Sequence, residues 1–479
     1  MKTRLLFAQA TCFILLLTGN IIAQPLDSIW QFHYGGTEDD QAYFAIENDD
    51  GEFIVVGKTK SYSNGGYDAY ILKLNADGVP IWEKSYGGPY EEQIVSVCPA
   101  LNGGYVVTGY VLSDVWLLWL NEDGDSVGSV IYGGPSADQG LFITNTTDQG
   151  YIISASYGGG FNIGDQVWLM KLDYSGDTVW TRKYGGPSQD YGVKVIETSD
   201  GGYLIAGRTY VTAVPEDSDP WAIKTDADGD TIWTRKYGGN DEDNFNCVIE
   251  TSDGYIFGGI TRSFGPGIYS VYAVRTNDSG DTIWTRTFGG DGINLCYDIS
   301  ETEEGNYILT GCSSSFGTYY DTYLVEIDPN GNLVWEATYG IPDGSEVVYG
   351  SSPTSDRGII VAGRTNFFTG WKDEVFVQKL GEAGSEIIGN SLSAGGWLQV
   401  IPNPVQSSAR VLVNNPGMEE VTLILYNSLG TRLKTLIDGK KMAGLQEVSF
   451  DKEGLPPGIY YLKMSAGSNQ VTIKFLISR

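Results

Sequence analysis

The stretch 221–239, WAIKTDADGDTIWTRKYGG, decides the fold. It contains two short alternating runs, 221–225 and 231–237, of the kind that form half-buried β-strands. Between them lies an acidic turn, Asp226-Ala227-Asp228-Gly229-Asp230, whose Asp-Gly step supplies the positive φ that a tight hairpin needs. The stretch closes on Tyr237-Gly238-Gly239, and this ending recurs. Tyr-Gly-Gly or a close variant begins at Tyr34, Tyr86, Tyr132, Tyr184, Tyr237, Phe288 and Tyr339, at spacings of 52, 46, 52, 53, 51 and 51 residues. Four residues earlier stand Trp30, Trp82, Trp180, Trp233, Trp284 and Trp335, and only Gly128 breaks that column. A second turn, clearest as Asp200-Gly201-Gly202-Tyr203, recurs within each repeat. Four strands and their turns fill about fifty residues, which is the content of one β-propeller blade.

The count predicts closure. The first Trp-containing run, near 28–34, precedes any complete repeat, and the seventh repeat, 347–380, lacks a following Trp run. The N-terminal strand is therefore expected to complete the last blade. The fold class expected is all-β: a seven-bladed β-propeller followed by a small Ig-like β-sandwich. A parallel β-helix is the competing architecture, but its repeats are shorter.

Composition agrees. Of 479 residues 64 are glycine, about twice the usual share of roughly 7%. Acidic side chains number 60 against 30 basic, a formal net charge of −30, which disfavours nucleic acid and anionic membrane surfaces as partners. Residues 1–23 read as a secretory signal peptide: Lys2 and Arg4 precede an apolar run too short for a membrane span, and Ala23 suits cleavage. The propeller is expected over 24–380, a small, glycine-rich linker over 381–396, and seven β-runs over 397–479. This tail carries nine basic and six acidic residues, whereas 24–396 carries 19 and 54.

The tail resembles the type A C-terminal sorting domain of the type IX secretion system of Gram-negative bacteria. The matching motifs are Pro402-Asn403-Pro404, Leu425-Tyr426-Asn427-Ser428-Leu429-Gly430, Leu455-Pro456-Pro457-Gly458-Ile459-Tyr460 and the ending Lys474-Phe475-Leu476-Ile477-Ser478-Arg479. The resemblance implies export across the outer membrane, with the secretion machinery and a surface sortase as partners. It also implies clipping of the tail, after which the passenger is released or attached to lipopolysaccharide. An Ig-like adhesion module is the ordinary alternative for such a sandwich.

For the passenger, the loops after each Gly-x-Thr are aromatic and differ between blades: Tyr62, Tyr67, Tyr110, Tyr157, Phe161, Tyr210, Phe264, Tyr269, Phe316, Tyr319, Tyr320, Phe367, Phe368 and Trp371. Aromatic faces on a rigid scaffold stack on sugar rings or hold apolar side chains, so these loops are the candidate surface for a glycan or protein ligand. Arg208, Arg262 and Arg364 at their bases are candidate polar anchors. Six residues after each Tyr-Gly-Gly tyrosine stand Asp40, Glu92, Asp138, Asp190 and Asp243, then Asn294 and Ser345. Such a ring could face the channel and attract cations, but a group repeated in most blades is better explained as capping its own turn. Asp68, Asp114, Asp165, Asp219, Asp321 and Asp373 form a second acidic column, expected to bond Thr59, Thr209 and Thr365.

Catalytic and metal motifs are missing from the sequence, which has His33 alone for imidazole chemistry, so no cofactor and no metal is expected. A binding module is the first reading of function. A glycan hydrolase or lyase using two carboxylates is the second, and a structural surface or adhesion protein is the third. The Asp-Gly-Asp turns resemble calcium loops, but a strand begins at once after each, which favours a hairpin. Cys296 and Cys312 flank one hairpin. A three-residue loop would pair them in a disulfide, and a two-residue loop would part them. Cys98 and Cys247 are expected to be small buried residues.

Overall fold

The computed structural model describes residues 26–158, 164–186, 188–210, 218–317, 319–340, 344–366 and 372–381. It also describes 397–477, apart from 402–404, 406–407, 416–419, 428–430, 442–443, 453, 457 and 467–468. The signal sequence, most of the linker, Phe161, Phe367, Phe368, Trp371, Pro402, Asn403, Pro404 and Gly430 lie outside the described residues, as does the side chain of Lys474.

Seven four-stranded antiparallel sheets follow one another along the chain. Their innermost strands are Asp40–Glu47, Glu92–Pro99, Asp138–Asn145, Asp190–Glu197, Asp243–Thr251, Asn294–Glu301 and Glu346–Pro353, which define blades one to seven. The seventh sheet takes its outer strand, Asp27–Tyr34, from the start of the chain, paired antiparallel to Glu374–Gly381. That pairing closes the ring with the strand expected to do so. Apolar side chains of adjacent blades share common cores. Ile54, Val56 and Ile71 of blade one, for example, bury against Ile94, Tyr105 and Val107 of blade two. After the propeller come a three-stranded and a four-stranded sheet, whose inner faces share one core that includes Val411, Leu423, Phe450, Tyr460 and Phe475.

The repeated motifs are two halves of one latch between blades. Trp233 donates its indole N–H to Asp278 O at 3.1 Å, and Tyr237 donates its hydroxyl to Gly280 O at 2.7 Å, both on the acidic turn of the next blade. Trp82, Trp284, Tyr34 and Tyr184 repeat these bonds around the ring. Where Gly128 replaces the tryptophan, its cross-strand partner Trp119 covers the next turn instead: a Cβ on Gly176 would lie 2.4 Å from that indole. Phe288 has no hydroxyl, and there Arg286 Nε serves Gly331 O at 3.1 Å. At the closure Tyr339 donates to Leu26 O. In the acidic turn itself, Asp226 Oδ1 accepts the N–H groups of Asp228 and Asp230, and Gly229 sits at φ +78°.

A bulge interrupts every innermost strand at the same place, skipping Tyr43, Val95, Leu141, Val193, Asn246, Tyr297 and Tyr349 in the register. An extra residue reverses the facing of every side chain beyond it in the strand. It thereby turns Phe44, Phe142, Lys194 and Asp298 towards the axis. Phe44 meets Phe142 edge-on at 5.9 Å, Lys194 Nζ lies 5.3 Å over Phe142, and Lys194 pairs with Asp298. These contacts join blades one to three, three to four and four to six. Pairs of non-adjacent blades meet only across the axis, so the four side chains plug the channel.

Candidate binding site at the loop face

The first strand of each blade begins, and the second ends, on one face of the ring, which therefore carries both the 4–1 and the 2–3 loops. The acidic residues of this repeated column stand on this face and are turned into the blades. Asp40 is fully buried; it accepts N–H bonds from Gly36 at 2.8 Å and Lys60 at 3.1 Å, and hydroxyl bonds from Thr59 and Ser61. Asp243 repeats this with Gly239, Thr261 and Arg262, while Asp138 holds Gly134 and Gly158 and Asp190 holds Gly186. Glu92 accepts from Gly88 N. Each carboxylate ties a 4–1 loop to its own blade. The seventh member is Glu346 rather than Ser345: Thr365 donates to Glu346 Oε1 at 3.0 Å, because that loop is one residue longer.

The second acidic column divides in two. At six of the seven blade entries the backbone N–H that opens the next blade bonds the carbonyl of Tyr67, Ser113, Asp165, Tyr269, Tyr320 or Asp373. Asp165 and Asp373 are thus equivalent to Tyr67, whereas Asp68 and Asp321 stand one residue later, opposite Thr59 and Ser313. A one-residue offset changes the face. Thr59 and Thr365 consequently bond Asp40 and Glu346, not the column expected for them.

Asp373 and Asp165 face the mouth of the channel, and so do the bulge tyrosines. Tyr349 lies 5.5 Å from Tyr43 and 5.7 Å from Tyr297, ring to ring. Arg364 Nε donates to Tyr349 Oη at 2.8 Å and Nη1 to Asp373 Oδ1 at 2.6 Å. The other oxygen of Asp373 accepts from Gln41 Nε2 at 2.6 Å. Lys58 Nζ stands 4.4 Å over the Tyr67 ring and 5.8 Å over Tyr43, and burial lowers its pKa. Burial, then the neighbouring Tyr349 and Tyr110, pushes the Tyr43 phenol well up, so it stays a neutral donor. Across the mouth the Arg208 guanidinium lies 5.0 Å from Tyr191 and 5.5 Å from Tyr210, and Tyr191 donates to Asp165 at 2.8 Å. Burial and that carboxylate raise Tyr191 to about 12. At the rim Tyr269 donates to Glu242 at 2.6 Å, with Arg262 5.5 Å from its ring.

The aromatic residues singled out from the sequence therefore divide. Tyr67, Tyr110, Tyr210, Tyr269 and Tyr320 are half-buried around the mouth, with Arg208 and Arg364 beside them. Tyr62, Phe264 and Phe316 instead pack, with tilted rings, against Tyr70, Tyr272 and Tyr323 of their own blades at 5.5–5.8 Å, on the outer side. Tyr157 likewise packs edge-on against Trp168, and Tyr319 is exposed. Tyr43, Tyr297 and Tyr349 were not singled out at all. Their signal is the broken alternation of each innermost strand, as in DQAYFAIE, where five non-polar side chains, Ala42 to Ile46, stand in a row.

His33 lies in the closing strand, opposite Phe376 in the register and 6.0 Å from its ring; burial depresses its pKa to about 3. In the tail, Gly458 opens a strand, and Tyr460 is buried with its hydroxyl on Pro456 O at 2.7 Å. Cys312 stands opposite Leu295, not Cys296, because the bulge at Tyr297 offsets the register; all four described cysteines are buried.

Comparison with known proteins separates address from passenger. Residues 399–478 match the family model "Secretion system C-terminal sorting domain", and 49–80 match a β-propeller domain of unknown function, DUF5122. A regulatory protein of Caulobacter vibrioides, FlaEY, is 25% identical over 260 residues, covering 48% of this chain and 26% of its own length. The chain thus spans about a quarter of that relative. Among solved structures, PorZ, a surface component of the type IX secretion system of Porphyromonas gingivalis, aligns over 93% of this chain and 60% of its own, with 10% identity and a TM-score of 0.43. A Dyadobacter fermentans protein of unknown function aligns over 75% of this chain and 100% of its own, with 12% identity and a TM-score of 0.45.

Proposed function

We propose that this protein, a β-propeller exported by the type IX route on its C-terminal sorting domain, is a non-catalytic module that binds a glycan in the tyrosine-lined mouth of its ring. The observation that carries this reading is the group Tyr43, Tyr297 and Tyr349 around Arg364, Asp373 and Gln41. Ring faces cover the apolar faces of a sugar, while a guanidinium, a carboxylate and an amide, already oriented by one another, bond its hydroxyls. With the axis filled below the mouth by Phe44, Phe142, Lys194 and Asp298, a ligand is approached from the loop face alone, which suits a chain end better than a broad protein surface. The export supported by the tail suits a site that meets extracellular polysaccharide.

Glycan-array binding of the exported protein tests this. Tyr349→Ala and Arg364→Ala should each weaken binding at least about tenfold, some 1.4 kcal/mol, with the thermal midpoint kept as a folding control. Tyr62→Ala and Phe264→Ala, on the outer side, should leave it unchanged. Equal losses from both sets would move the site to the outer rim. Release of reducing ends from a bound glycan would replace binding by carboxylate-dependent hydrolysis or lysis, and no binding to any glycan would favour a structural surface role.

A further inference from the structure

Cys247 and Cys296 lie on the innermost strands of blades five and six, and their sulfurs are 4.0 Å apart. Neither is solvent-exposed. Their surroundings hold them face to face. Asn246, the residue before Cys247, donates its amide to Cys296 O at 2.7 Å, so the two strands are tied beside the sulfurs. Opposite Cys247 in the register is Gly258, and a Cβ there would lie 2.7 Å from one sulfur and 3.0 Å from the other. The same position in the other blades carries Val56, Thr108, Ser154, Ala206, Thr310 and Ala362. The one blade that lacks a Cβ here is the one whose sulfurs need the room.

We propose that Cys247 and Cys296 are oxidised to a disulfide in the exported protein, stapling blade five to blade six, and that Cys98 and Cys312 remain thiols. A bond of about 2.05 Å requires the sulfurs to close by roughly 2 Å, within the reach of side-chain rotation. Formation of the S–S bond breaks two S–H bonds and releases two protons and two electrons. The electrons pass to the disulfide of a periplasmic thiol oxidoreductase, which leaves as a dithiol after a mixed-disulfide intermediate. Because the folded blades bury both sulfurs, the mixed disulfide forms on one cysteine before blade six docks on blade five, and docking brings the second thiol to resolve it. Cys98 packs in the core between blades two and three, and Cys312 sits on the second strand of blade six, so neither shares the Cys247–Cys296 contact.

The test uses the protein recovered from the cell surface or medium, denatured without reductant, alkylated, digested and mapped by mass spectrometry. The expected result is a linked pair of peptides containing Cys247 and Cys296, two hydrogen atoms lighter than their sum, with Cys98 and Cys312 alkylated. Alkylation of all four, or a link through Cys98 or Cys312, overturns the proposal. Cys247→Ala and Cys296→Ala should each lower the Tm by about 5 °C and remove the dependence of refolding on an added glutathione redox couple. If either variant fails to accumulate, the peptide map of the unaltered chain still decides.

Discussion

Glu374 illustrates how much a single position depends on its neighbours. It opens the third strand of blade seven, and burial, with Asp40 beside it, raises its pKa to about 7; burial alone raises Asp321, its counterpart in blade six, to about 6. A carboxyl whose folded pKa is raised binds its proton more tightly in the native state than in the unfolded chain. Stability is therefore greatest below the unfolded value of roughly 4.3 and falls as pH rises, until the folded pKa is passed. Glu374→Gln removes that dependence at one site. The difference in Tm between the variant and the parent should grow in the variant's favour from pH 5 to pH 7, then level off. A difference that stays constant over that range would show that Glu374 titrates normally. The carboxylates that look most functional in the sequence, the Asp40 column, are instead consumed by backbone and hydroxyl donors, since a buried carboxylate is tolerated only when its acceptors are filled.

At the level of the element, the strand repeat is a consequence of the latch. Tryptophan and tyrosine four residues apart on an outer strand lie on one face, and that face meets the acidic turn of the next blade. Tyr237→Phe removes the bond to Gly280 O and should cost about 1 kcal/mol in denaturant unfolding. Phe288→Tyr should change stability by less than about 0.5 kcal/mol, because Arg286 already serves the equivalent carbonyl. A gain as large as the Tyr237 loss would mean that the arginine bond contributes nothing. The blades were legible from periodicity because turn chemistry and alternation are local. The bulges were not, since one inserted residue looks like noise in a period of two until pairing shows that it recurs in all seven innermost strands. With the bulges went Tyr43, Tyr297 and Tyr349, and so the centre of the candidate site.

For the whole molecule, ring closure by the first strand is the decisive joint. Without Asp27–Tyr34, the strand Glu374–Gly381 would become an unpaired edge, and Trp30 could no longer reach Ala76 O on blade one. Deleting 27–34 from the exported protein should lower the Tm by roughly 10 °C and broaden the calorimetric transition. A sharp transition at the parental temperature would show that the ring is stable while open.

The sequence by itself determined the number of blades, the closing strand, the export tail and the residues of the inter-blade latch. Each of these is written in local signals, turns, alternation and motif order, which need no knowledge of distant partners. Only the tertiary structure decided which side of each blade a loop aromatic serves, that Asp165 and Asp373 share a column with Tyr67, that Lys194 and Asp298 close the channel, and that Cys296 faces Cys247 rather than Cys312. Those outcomes depend on register and on which blades meet across the axis. A one-residue offset reverses a side chain's facing without changing any local preference that the sequence displays.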